Sequence, residues 1–394
     1  MISISEAISL IKKNGKPILT KTIKKKVEKS GGYLLFEDIL SPINMPPFRQ
    51  SAMDGYALNL HDDLSYKLIG EVKAGDGHQP FLKKGEAVRI FTGAPVPDSA
   101  NAVMMQEKVQ FDNKDTITIE HEIALELNIR PLGEQVKTGD VALKKGTKLT
   151  PAAIGYLISL GITEVSVFKK PNIAIVTTGN ELIKPGNDLP YGKIYESNSK
   201  MLLSALYSLK FYDVTLHKVE DDYDRTVETL KLVIAKNDLV IITGGISVGD
   251  YDFVGKALNE LQVKELFYKV KQKPGKPLFY GKKQDTQIFA LPGNPAAALS
   301  CFYIYIYIAL QKMMNRNDLE LPRIEAQSIS TFKKKGDRPQ FLKAIYNEGS
   351  VEILEGQNSS MLQTFAISNA LVYAPEMVTE INVGDTIEVI LLPV

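Results

Sequence analysis

The sequence predicts a multidomain α/β plus β protein, in which a doubly wound α/β domain lies between two β domains. Strand-like and helix-like segments alternate between residues 172 and 315, which is typical of a parallel sheet with crossover helices. Short alternating runs separated by glycine, proline and aspartate fill residues 56–141 and return after residue 322, which indicates β structure. A chain of 394 residues also exceeds the usual size of one domain.

Composition excludes several kinds of site. The 47 lysine and arginine residues nearly balance the 46 aspartate and glutamate residues, so the net charge of +1 does not indicate a nucleic-acid or membrane-surface partner. One cysteine excludes an internal disulfide framework, and only four histidines accompany it, which disfavours a zinc site. We therefore expect any metal site to use carboxylate oxygens.

The chain begins Met-Ile-Ser-Ile-Ser-Glu, without a basic segment followed by an apolar core. We therefore expect no signal peptide and a cytoplasmic protein. Ser3 and Glu6 have the spacing of a capping box, which predicts a helix to about Lys13. Residues 21–29 are rich in lysine, and we expect a solvated helix face there, with an interaction patch as the alternative.

Four strands are predicted in the α/β region, and the last of them leads into a long apolar helix. Asn294 as N-cap and Pro295 as the first helical residue mark where that helix starts. Residues 296–310 are almost wholly apolar, but a membrane span needs about 20 such residues, so we expect a buried or oligomer-interface helix and no membrane partner. Cys301 is expected to be inert packing. The predicted strands are residues 173–176, 214–217, 239–242 and 287–291.

A glycine-rich turn follows the strand at residues 239–242. Open α/β sheets bind ligands at the carboxyl ends of their strands, and glycines let a ligand approach the main chain. Carboxylates near such a turn suit Mg²⁺ that holds phosphate oxygens. The alternative is a tight strand-to-helix turn with Asp252 as helix N-cap. The polar and glycine residues of this turn are Thr243, Gly244, Gly245, Ser247, Gly249, Asp250 and Asp252.

Five motifs occur in the order seen in one protein family, and Arg338-Pro339 and Ser359-Ser360-Met361 follow them. The chain thereby resembles, nearly end to end, the MoeA family of molybdopterin molybdotransferases, which includes the E domain of gephyrin and its plant counterpart. The motifs are Pro46-Pro-Phe48 with Ser51-Ala-Met-Asp-Gly-Tyr-Ala57, Arg89-Ile-Phe-Thr-Gly-Ala-Pro-Val-Pro97, Gly244-Gly-Ile-Ser-Val-Gly-Asp-Tyr-Asp252, Lys273-Pro-Gly-Lys-Pro277 and Leu291-Pro-Gly-Asn-Pro295.

The resemblance implies four domains. An elongated helical domain is split between residues 1–46 and 141–168, and a β domain at residues 47–140 is inserted into it. A doubly wound, MogA-like α/β domain covers residues 169–321, and a C-terminal β-barrel covers residues 322–394. The resemblance also implies an elongated homodimer, whose active clefts combine one subunit's α/β and barrel domains with the other subunit's inserted β domain.

The resemblance further implies a Mg²⁺-dependent transferase of molybdenum cofactor biosynthesis. Members of the family exchange molybdate for the AMP of adenylylated molybdopterin. The substrates are therefore expected to be molybdate and adenylylated molybdopterin, without nucleic acid. The molybdopterin adenylyltransferase and the acceptor molybdoenzymes are candidate partners.

By similarity, three carboxylates are expected to hold Mg²⁺, namely Glu181, Asp221 and Asp250, and Asp54 and Asp140 are expected to face them. Two like charges about 4 Å apart cost about 4 kcal/mol at an effective dielectric constant of about 20. Such a cluster beside anionic substrates is therefore favourable only when a cation reverses the local charge. The alternative is that these residues are turn and cap residues.

Cations and polar residues are expected to bind the anionic substrates. Lys273 and Lys276 flank a Pro-Gly turn that can hold two ammonium groups near one anion, and the alternative is that both are surface lysines. The helix start at Asn294 and Pro295 offers free N–H groups to an oxyanion. By similarity, substrate contacts are expected from Thr92, Gly244, Gly245, Ser247, Gly249, Asn294, Pro295, Arg338 and Ser360.

Two positions depart from the family pattern. Arg49 and Gln50 stand where the family often has Asp-Asn, which removes an acid near Asp54. Asn180 stands where the family often has aspartate, and an amide is a poor metal ligand. We therefore retain Glu181 as a predicted ligand and exclude Asn180.

Two other functions remain open. The family's adenylyltransferase partner usually carries Gly-Gly-Thr-Gly, whereas this chain has Gly-Gly-Ile-Ser at residues 244–247, and that enzyme lacks two β domains. A non-catalytic scaffold that binds the pterin or peptides is the other alternative, because gephyrin binds receptor peptides with its E domain. Carboxylates at Asp54, Glu181 and Asp250 favour catalysis.

Overall fold

A computed structural model describes residues 1–18, 22–246 and 253–394. The chain forms two compact units, one of Met1–Lys21 with Lys169–Val394 and the other of Thr22–Phe168. The predicted site residues Ser247, Gly249 and Asp250 lie outside the described residues, as does Asp252.

In the described residues the α-helices are α1 (Ile4–Asn14), α2 (Pro151–Ser159), α3 (Asn198–Ser208), α4 (Tyr223–Lys236), α5 (Phe253–Glu260), α6 (Pro295–Cys301), α7 (Tyr307–Met313) and α8 (Leu362–Ala366). A π-helical turn at Phe302–Ile306 joins α6 to α7, and 3₁₀ turns lie at Val27–Lys29 and Gln106–Lys108.

The strands of the unit Thr22–Phe168 are β1 (Thr22–Lys26), β2 (Ile39–Leu40), β3 (Gln50–Ser51), β4 (Gly55–Leu58), β5 (Ser65–Val72), β6 (Glu86–Ile90), β7 (Ala102–Met105), β8 (Val109–Asn113), β9 (Thr116–Ile119), β10 (Ile129–Arg130), β11 (Val141–Leu143) and β12 (Glu164–Phe168).

The other unit contains β13 (Ile173–Thr178), β14 (Leu182–Ile183), β15 (Ile194–Tyr195), β16 (Val214–Val219), β17 (Leu239–Thr243), β18 (Lys264–Tyr268), β19 (Phe279–Lys283), β20 (Thr286–Leu291), β21 (Arg323–Ser328), β22 (Phe332–Lys333), β23 (Gln340–Asn347), β24 (Ser350–Ile353), β25 (Ala370–Ala374), β26 (Glu380–Ile381) and β27 (Thr386–Leu391).

The α/β region is a six-stranded sheet in the order β16-β13-β17-β20-β19-β18. The four predicted strands are present as β16, β13, β17 and β20, and they pair in parallel. The predicted fold class is therefore confirmed, but the sheet is mixed, because β19 and β18 add an antiparallel pair at one edge. These two strands are absent from the sequence-based prediction because both contain lysines that hide a strand pattern.

Both faces of this sheet are buried, which explains its continuous apolar strands. In β17, Leu239 and Ile241 belong to one core together with side chains of α3 and α6. Val240 and Ile242 alternate with them and belong to a second core with side chains of α4 and α5. Because full burial of such a side chain stabilises the fold by about 1.5–3 kcal/mol, the sheet tolerates few polar residues before its ends.

The helix that runs from Pro295 to Met313 is long and apolar enough to cross a membrane, but 83% of its most apolar window is buried inside the protein. It is therefore a core helix, as the sequence predicts. Burial raises the pKa of the Cys301 thiol to about 12, so Cys301 acts as packing.

The structure changes two local predictions. The lysine-rich segment forms β1 and a 3₁₀ turn instead of a helix, because β1 pairs antiparallel with β12. Asn294 precedes α6 as predicted, but its side chain makes no capping bond. Its Nδ2 instead donates to Ser359 Oγ at 2.9 Å.

Helix α1 begins with the predicted capping box of Ser3 and Glu6. Its apolar side chains Ala7, Ile8 and Ile11 pack into the larger core of the α/β region. Residues 1–21 thus belong to the unit that contains residues 169–394, whereas the resemblance groups residues 1–46 with residues 141–168. The four-domain division remains a prediction.

Both predicted β regions are present. In the unit Thr22–Phe168, six strands form a sheet in the order β7-β4-β6-β5-β9-β8. In the C-terminal region, β21, β24, β23, β25 and β27 form a closed barrel around alternate apolar side chains. The barrel agrees with the prediction for residues 322–394.

Lys343 is a buried cation on β23 that fixes a neighbouring loop. Its side chain is 4% exposed, and its Nζ donates to the carbonyl oxygens of Gly356, Asn358 and Met361 at 2.7, 3.1 and 3.1 Å. Burial lowers the pKa of Lys343 to about 8. The loop it holds carries Ser359 and Ser360.

The lowered pKa of Lys343 predicts a pH-dependent stability. Above about pH 8 the folded state releases this proton before the unfolded state does, so the free energy of unfolding should rise towards about pH 10.5. Urea unfolding of wild type and Lys343→Met between about pH 7 and 10 isolates this contribution, because other groups cancel in the difference. The difference in free energy of unfolding, wild type minus Lys343→Met, should therefore increase with pH. A difference that stays constant or falls between about pH 7 and 10 would contradict the prediction.

Candidate functional site

The carboxyl ends of three neighbouring parallel strands, β13, β17 and β20, lie side by side. They open onto a cavity of about 580 Å³. The chain reaches β16 on one side of β13 and β17 on the other, and open α/β sheets bind ligands at such a reversal. We call this the strand-end cavity. Its lining includes Thr178, Glu181, Tyr195, Asn198, Asp221, Gly244, Gly245, Asn294, Pro295 and Ser360.

The glycine turn after β17 packs against the end of β13. Gly244 and Gly245 have φ angles of +90° and +63°, which favour glycine. A Cβ on Gly244 would lie 2.6 Å from Thr178 O, and one on Gly245 would lie 2.7 Å from Thr178 Oγ1. The turn therefore needs glycine at both positions, and its main chain forms part of the cavity wall.

Two of the predicted metal ligands, Glu181 and Asp221, line the strand-end cavity. The loops that carry them are joined at Asn180, whose N–H donates to Asp221 Oδ2 at 3.0 Å. In return, the Asp221 N–H donates to Asn180 Oδ1 at 3.1 Å. The Asn180 side chain therefore links two loops, which agrees with its exclusion as a metal ligand.

The Glu181 carboxylate lies against Gly179, where a Cβ would come within 2.6 Å of Glu181 Oε2. Among the contacts of the described residues, no hydrogen bond or ion pair to this carboxylate occurs, whereas Asp221 accepts one from Asn180 N. Most of the oxygen lone pairs of Glu181 and Asp221 thus remain available. Carboxylate oxygens are the ligands that hard divalent cations prefer, so these two residues fit such an ion.

The third predicted ligand, Asp250, lies outside the described residues. Within residues 1–18, 22–246 and 253–394, no group of three or more histidine, cysteine, aspartate or glutamate side chains has the spacing of a metal site. Assignment of Mg²⁺ to this edge of the sheet therefore remains a proposal.

A second cavity of about 430 Å³ adjoins the first and carries the opposite charge. We call it the cationic cavity, because Lys273, Lys276 and Arg338 line it and, among the described residues, no acidic residue does. Both cavities share Pro277, Pro292, Asn294 and Ser360 as lining residues. An anion in one cavity can therefore lie next to a ligand in the other. The remaining lining residues of the cationic cavity are Pro274, Gly275, Ala297, Asn358 and Ser359.

Backbone contacts hold the barrel against the Lys273–Lys276 turn. Lys273 N–H donates to Pro339 O at 2.9 Å, and Phe341 N–H donates to Lys273 O at 2.9 Å. Arg338 Nη1 donates to Gln272 O at 3.1 Å. The three cations of the cavity are thus positioned by main-chain geometry as well as by their own side chains.

The start of α6 offers fewer free N–H groups than its sequence predicts. Pro295 has no N–H, and the Ala297 N–H donates to Ser359 O at 3.3 Å. The barrel loop therefore accepts a hydrogen bond from one of the helix N–H groups that the sequence predicts would bind an oxyanion. Of its two serines, Ser359 lines the cationic cavity and Ser360 lines both cavities.

The remaining predicted site residues, Asp54, Thr92 and Asp140, lie in the unit Thr22–Phe168. The Thr92 N–H and hydroxyl both donate to Asp54 Oδ1 at 2.7 Å. Both hydrogen bonds lower the pKa of the exposed Asp54 carboxyl, and the bond from the Thr92 backbone has the larger effect. Asp140 is exposed in a turn after Lys137.

The departures at Arg49 and Gln50 have structural roles in the same unit. Arg49 Nη2 donates to Ala100 O and to Glu126 Oε1, both at 3.0 Å. Gln50 Nε2 donates to Gly93 O at 3.2 Å, beside Thr92. These side chains therefore support the loop that carries Thr92.

Two lining residues, Thr178 and Asn198, are absent from the sequence-based prediction. Asn198 Nδ2 donates to Thr243 Oγ1 at 2.9 Å and to Gly293 O at 2.8 Å, which ties the ends of β17 and β20 together. Asn198 Oδ1 and Thr178 Oγ1 are buried polar atoms without a protein partner among the described residues. In the sequence, Asn198 is visible only as the residue before a helix, because its neighbours at the site lie far along the chain.

The chain matches family models over nearly its whole length. Residues 2–161 match the MoeA N-terminal region (domain I and II), and residues 174–312 match a probable molybdopterin binding domain. Residues 325–392 match the MoeA C-terminal region (domain IV).

Similar proteins agree with these models. The molybdopterin molybdenumtransferase of Haemophilus influenzae is 34% identical over 382 residues, which cover 95% of this chain and 94% of that protein. The enzyme of the same name from Staphylococcus epidermidis is 32% identical over 403 residues, and the match covers 99% of this chain and 95% of that protein. The crystal structure of the molybdopterin biosynthesis MoeA protein of Pyrococcus horikoshii matches this chain with a TM-score of 0.81 and a sequence identity of 30%. The match covers 99% of this chain and 100% of the Pyrococcus chain. Given this agreement in sequence and in fold, the chain belongs to the MoeA family.

Proposed function

We propose that this chain is a molybdopterin molybdenumtransferase, which inserts molybdate into adenylylated molybdopterin and releases AMP in a Mg²⁺-dependent reaction. The names of its curated relatives support the transferase activity. The observation that carries the proposal is the separation of charge at the sheet edge. Glu181 and Asp221 line one cavity, whereas Lys273, Lys276 and Arg338 line the adjoining one.

The strand-end cavity is proposed to bind the adenylylated pterin. Its volume of about 580 Å³ lies within the range of about 300–1,000 Å³ that is usual for small-molecule sites. Glu181 and Asp221 would hold the divalent cation, which when bound neutralises phosphate charge. The glycine turn at Gly244 and Gly245 lets the ligand approach the main chain closely.

The cationic cavity is proposed to bind molybdate. Molybdate is a compact tetrahedral dianion. A site that is lined by three cations, and by no carboxylate of the part of the chain that the structure describes, attracts it. Arg338 can contact two oxygens at once, whereas Lys273 and Lys276 act as point charges. Because Asn294 and Ser360 line both cavities, the oxyanion is held beside the pterin.

The direct test is AMP release by the purified protein with adenylylated molybdopterin, Mg²⁺ and molybdate. We expect AMP to appear only when all three are present, because the cation and the oxyanion occupy separate sites. Chromatographic quantification of AMP over time measures the reaction. No molybdate-dependent AMP release by correctly folded protein would refute the proposed function and favour a non-catalytic scaffold.

Glu181→Gln should reduce AMP release by about 10²-fold or more, which corresponds to about 2.7 kcal/mol of barrier. The amide keeps the size of the side chain but removes the negative charge that binds the cation, so high Mg²⁺ should restore part of the rate. Glu220→Gln is the matched control, because Glu220 pairs with Arg225 at 2.6 Å on the surface and does not line the cavity. A Glu181→Gln protein that matches the control at low Mg²⁺ would contradict the metal assignment.

We also propose a homodimer, because the resemblance implies that each cleft needs Asp54 and Thr92 from the second subunit. The adenylyltransferase and the acceptor molybdoenzymes are proposed as further partners, since they supply the substrate and receive the product. Multi-angle light scattering at micromolar concentration should give twice the chain mass of 43.6 kDa. A fully active monomer would exclude a cleft shared between subunits.

A further inference from the structure

A buried hydrogen-bond network lies behind the cationic cavity. Gln272, Cys301 and Tyr305 are all completely buried, at 0% exposure. The Tyr305 hydroxyl donates to Gln272 Oε1. Gln272 Nε2 donates to Gly275 O at 3.0 Å and also lies 3.6 Å from Cys301 Sγ. The network therefore ends on the main chain of the turn that carries Lys273 and Lys276.

Gln272 also contacts the third cation of the cavity. Its main-chain carbonyl accepts a hydrogen bond from Arg338 Nη1 at 3.1 Å. Its side chain thus holds the lysine turn, and its backbone holds Arg338. A shift of Gln272 would move both the lysine turn and Arg338.

The turn itself has little room to adjust. Gly275 has a φ of +87°, and a Cβ at this position would lie 2.5 Å from Cys301 Sγ. The turn is therefore packed tightly against α6. The same Cβ would lie 3.0 Å from Gln272 Nε2. Cys301 and the Gln272 amide thus both pack against Gly275, and the core beneath the turn fixes its orientation.

Tyr305 lies in the π-helical turn Phe302–Ile306, which interrupts an otherwise α-helical segment. A π turn arises from one extra residue, which displaces the following side chains by about 100° around the helix. Such turns are rare and occur frequently at functional sites. Here the turn carries the hydroxyl that orients Gln272.

The polarity of this network is not needed to fill the core. Tyr305 and Cys301 belong to a cluster of apolar side chains, in which buried polar atoms are unfavourable unless they are paired. Apolar residues of similar volume could pack in the same space. The hydrogen bonds instead specify one conformation of Gln272, and through it one arrangement of the cations.

We propose that Gln272 and Tyr305 are positioning residues, which hold Lys273, Lys276 and Arg338 in the arrangement that binds a tetrahedral oxyanion. The identification of that oxyanion as molybdate rests on the proposed function. Neither positioning side chain lines the cavity, so both act through the cations.

Tyr305→Phe tests this directly, because it removes only the hydroxyl and keeps the ring in the core. We expect the KM for molybdate to rise about 10-fold, with kcat changed by less than about twofold and the KM for the pterin substrate unchanged. Loss of an interaction that stabilises the bound substrate and the transition state equally raises KM and leaves kcat unchanged. A purely structural defect would instead lower the active fraction, and so kcat, without changing either KM.

Tyr303→Phe is the matched control on the same π turn. Tyr303 is also buried, and its ring stacks on Phe365 at 6.3 Å. No hydrogen bond of its hydroxyl occurs among the contacts of the described residues. We expect an unchanged molybdate KM in this control, and in Lys276→Ala a rise at least as large as in Tyr305→Phe. A rise in the control equal to that in Tyr305→Phe would overturn the inference.

The double variant Gln272→Leu with Tyr305→Phe tests whether the two residues act as a pair. Each single change leaves the other partner unpaired in the core, whereas the double change removes both polar groups. The combined increase in molybdate KM should therefore be smaller than the product of the two single increases. Independent, multiplicative effects would contradict a shared network.

A binding measurement separates this inference from the proposed function. Isothermal titration calorimetry with molybdate needs no turnover, and Tyr305→Phe should weaken the affinity by about 10-fold, or about 1.4 kcal/mol. A wild-type protein that binds molybdate but releases no AMP would refute the transferase proposal. The molybdate affinities of wild type and Tyr305→Phe would still show whether Gln272 and Tyr305 position the cations. Wild-type affinity in Tyr305→Phe would overturn the inference.

Discussion

The parallel pairing of β13, β17 and β20 is the constraint on which the site depends. It brings three strand ends together, so Thr177, Thr243 and Leu291, which span more than 100 positions of the chain, lie side by side. Burial of both faces of the sheet leaves these strand ends as the place where polar groups emerge. The fold thus decides where a ligand can bind before any catalytic side chain is considered.

The loops at these strand ends place acidic side chains in one cavity and basic side chains in the adjoining one. The carboxylates of Glu181 and Asp221 belong to loops joined through Asn180, whereas Lys273 and Lys276 belong to a turn held by Gln272 and the barrel. Because opposite charges are fixed by separate contacts, they do not collapse into ion pairs with one another. An anionic substrate and a cation can therefore be held side by side.

Much of this arrangement is visible in the sequence, for physical reasons. The apolar runs that predict β13, β17 and β20 are long because both faces of the sheet are buried. The turns at residues 244–245 and 273–277 are visible because glycine and proline mark backbone geometry that other residues disfavour. The resemblance to one family then assigned roles that spacing alone left open, and those roles remain predictions for individual side chains.

Other features could not be read from the sequence because they depend on tertiary contacts. Asn198 has no local signal, since its hydrogen-bond partners Thr243 and Gly293 lie far along the chain. The role of Gln272 likewise depends on Tyr305 and Arg338, which are distant in the sequence. Strand β1 lacks an alternating pattern, because Lys24, Lys25 and Lys26 are consecutive, and only its pairing with β12 makes it a strand. Asn294 occupies the predicted N-cap position, but its side chain makes no capping bond and its amide instead donates to Ser359, which is distant in the sequence.

The central claim is that the oxyanion and the divalent cation occupy separate cavities of different charge. Crystals soaked with molybdate or tungstate and Mn²⁺ would test it most directly, because anomalous scattering identifies each heavy atom by its absorption edge. We expect the molybdenum or tungsten atom between Lys273, Lys276 and Arg338, and Mn²⁺ beside Glu181 and Asp221. An oxyanion bound among the carboxylates, or Mn²⁺ bound away from both of them, would contradict the account.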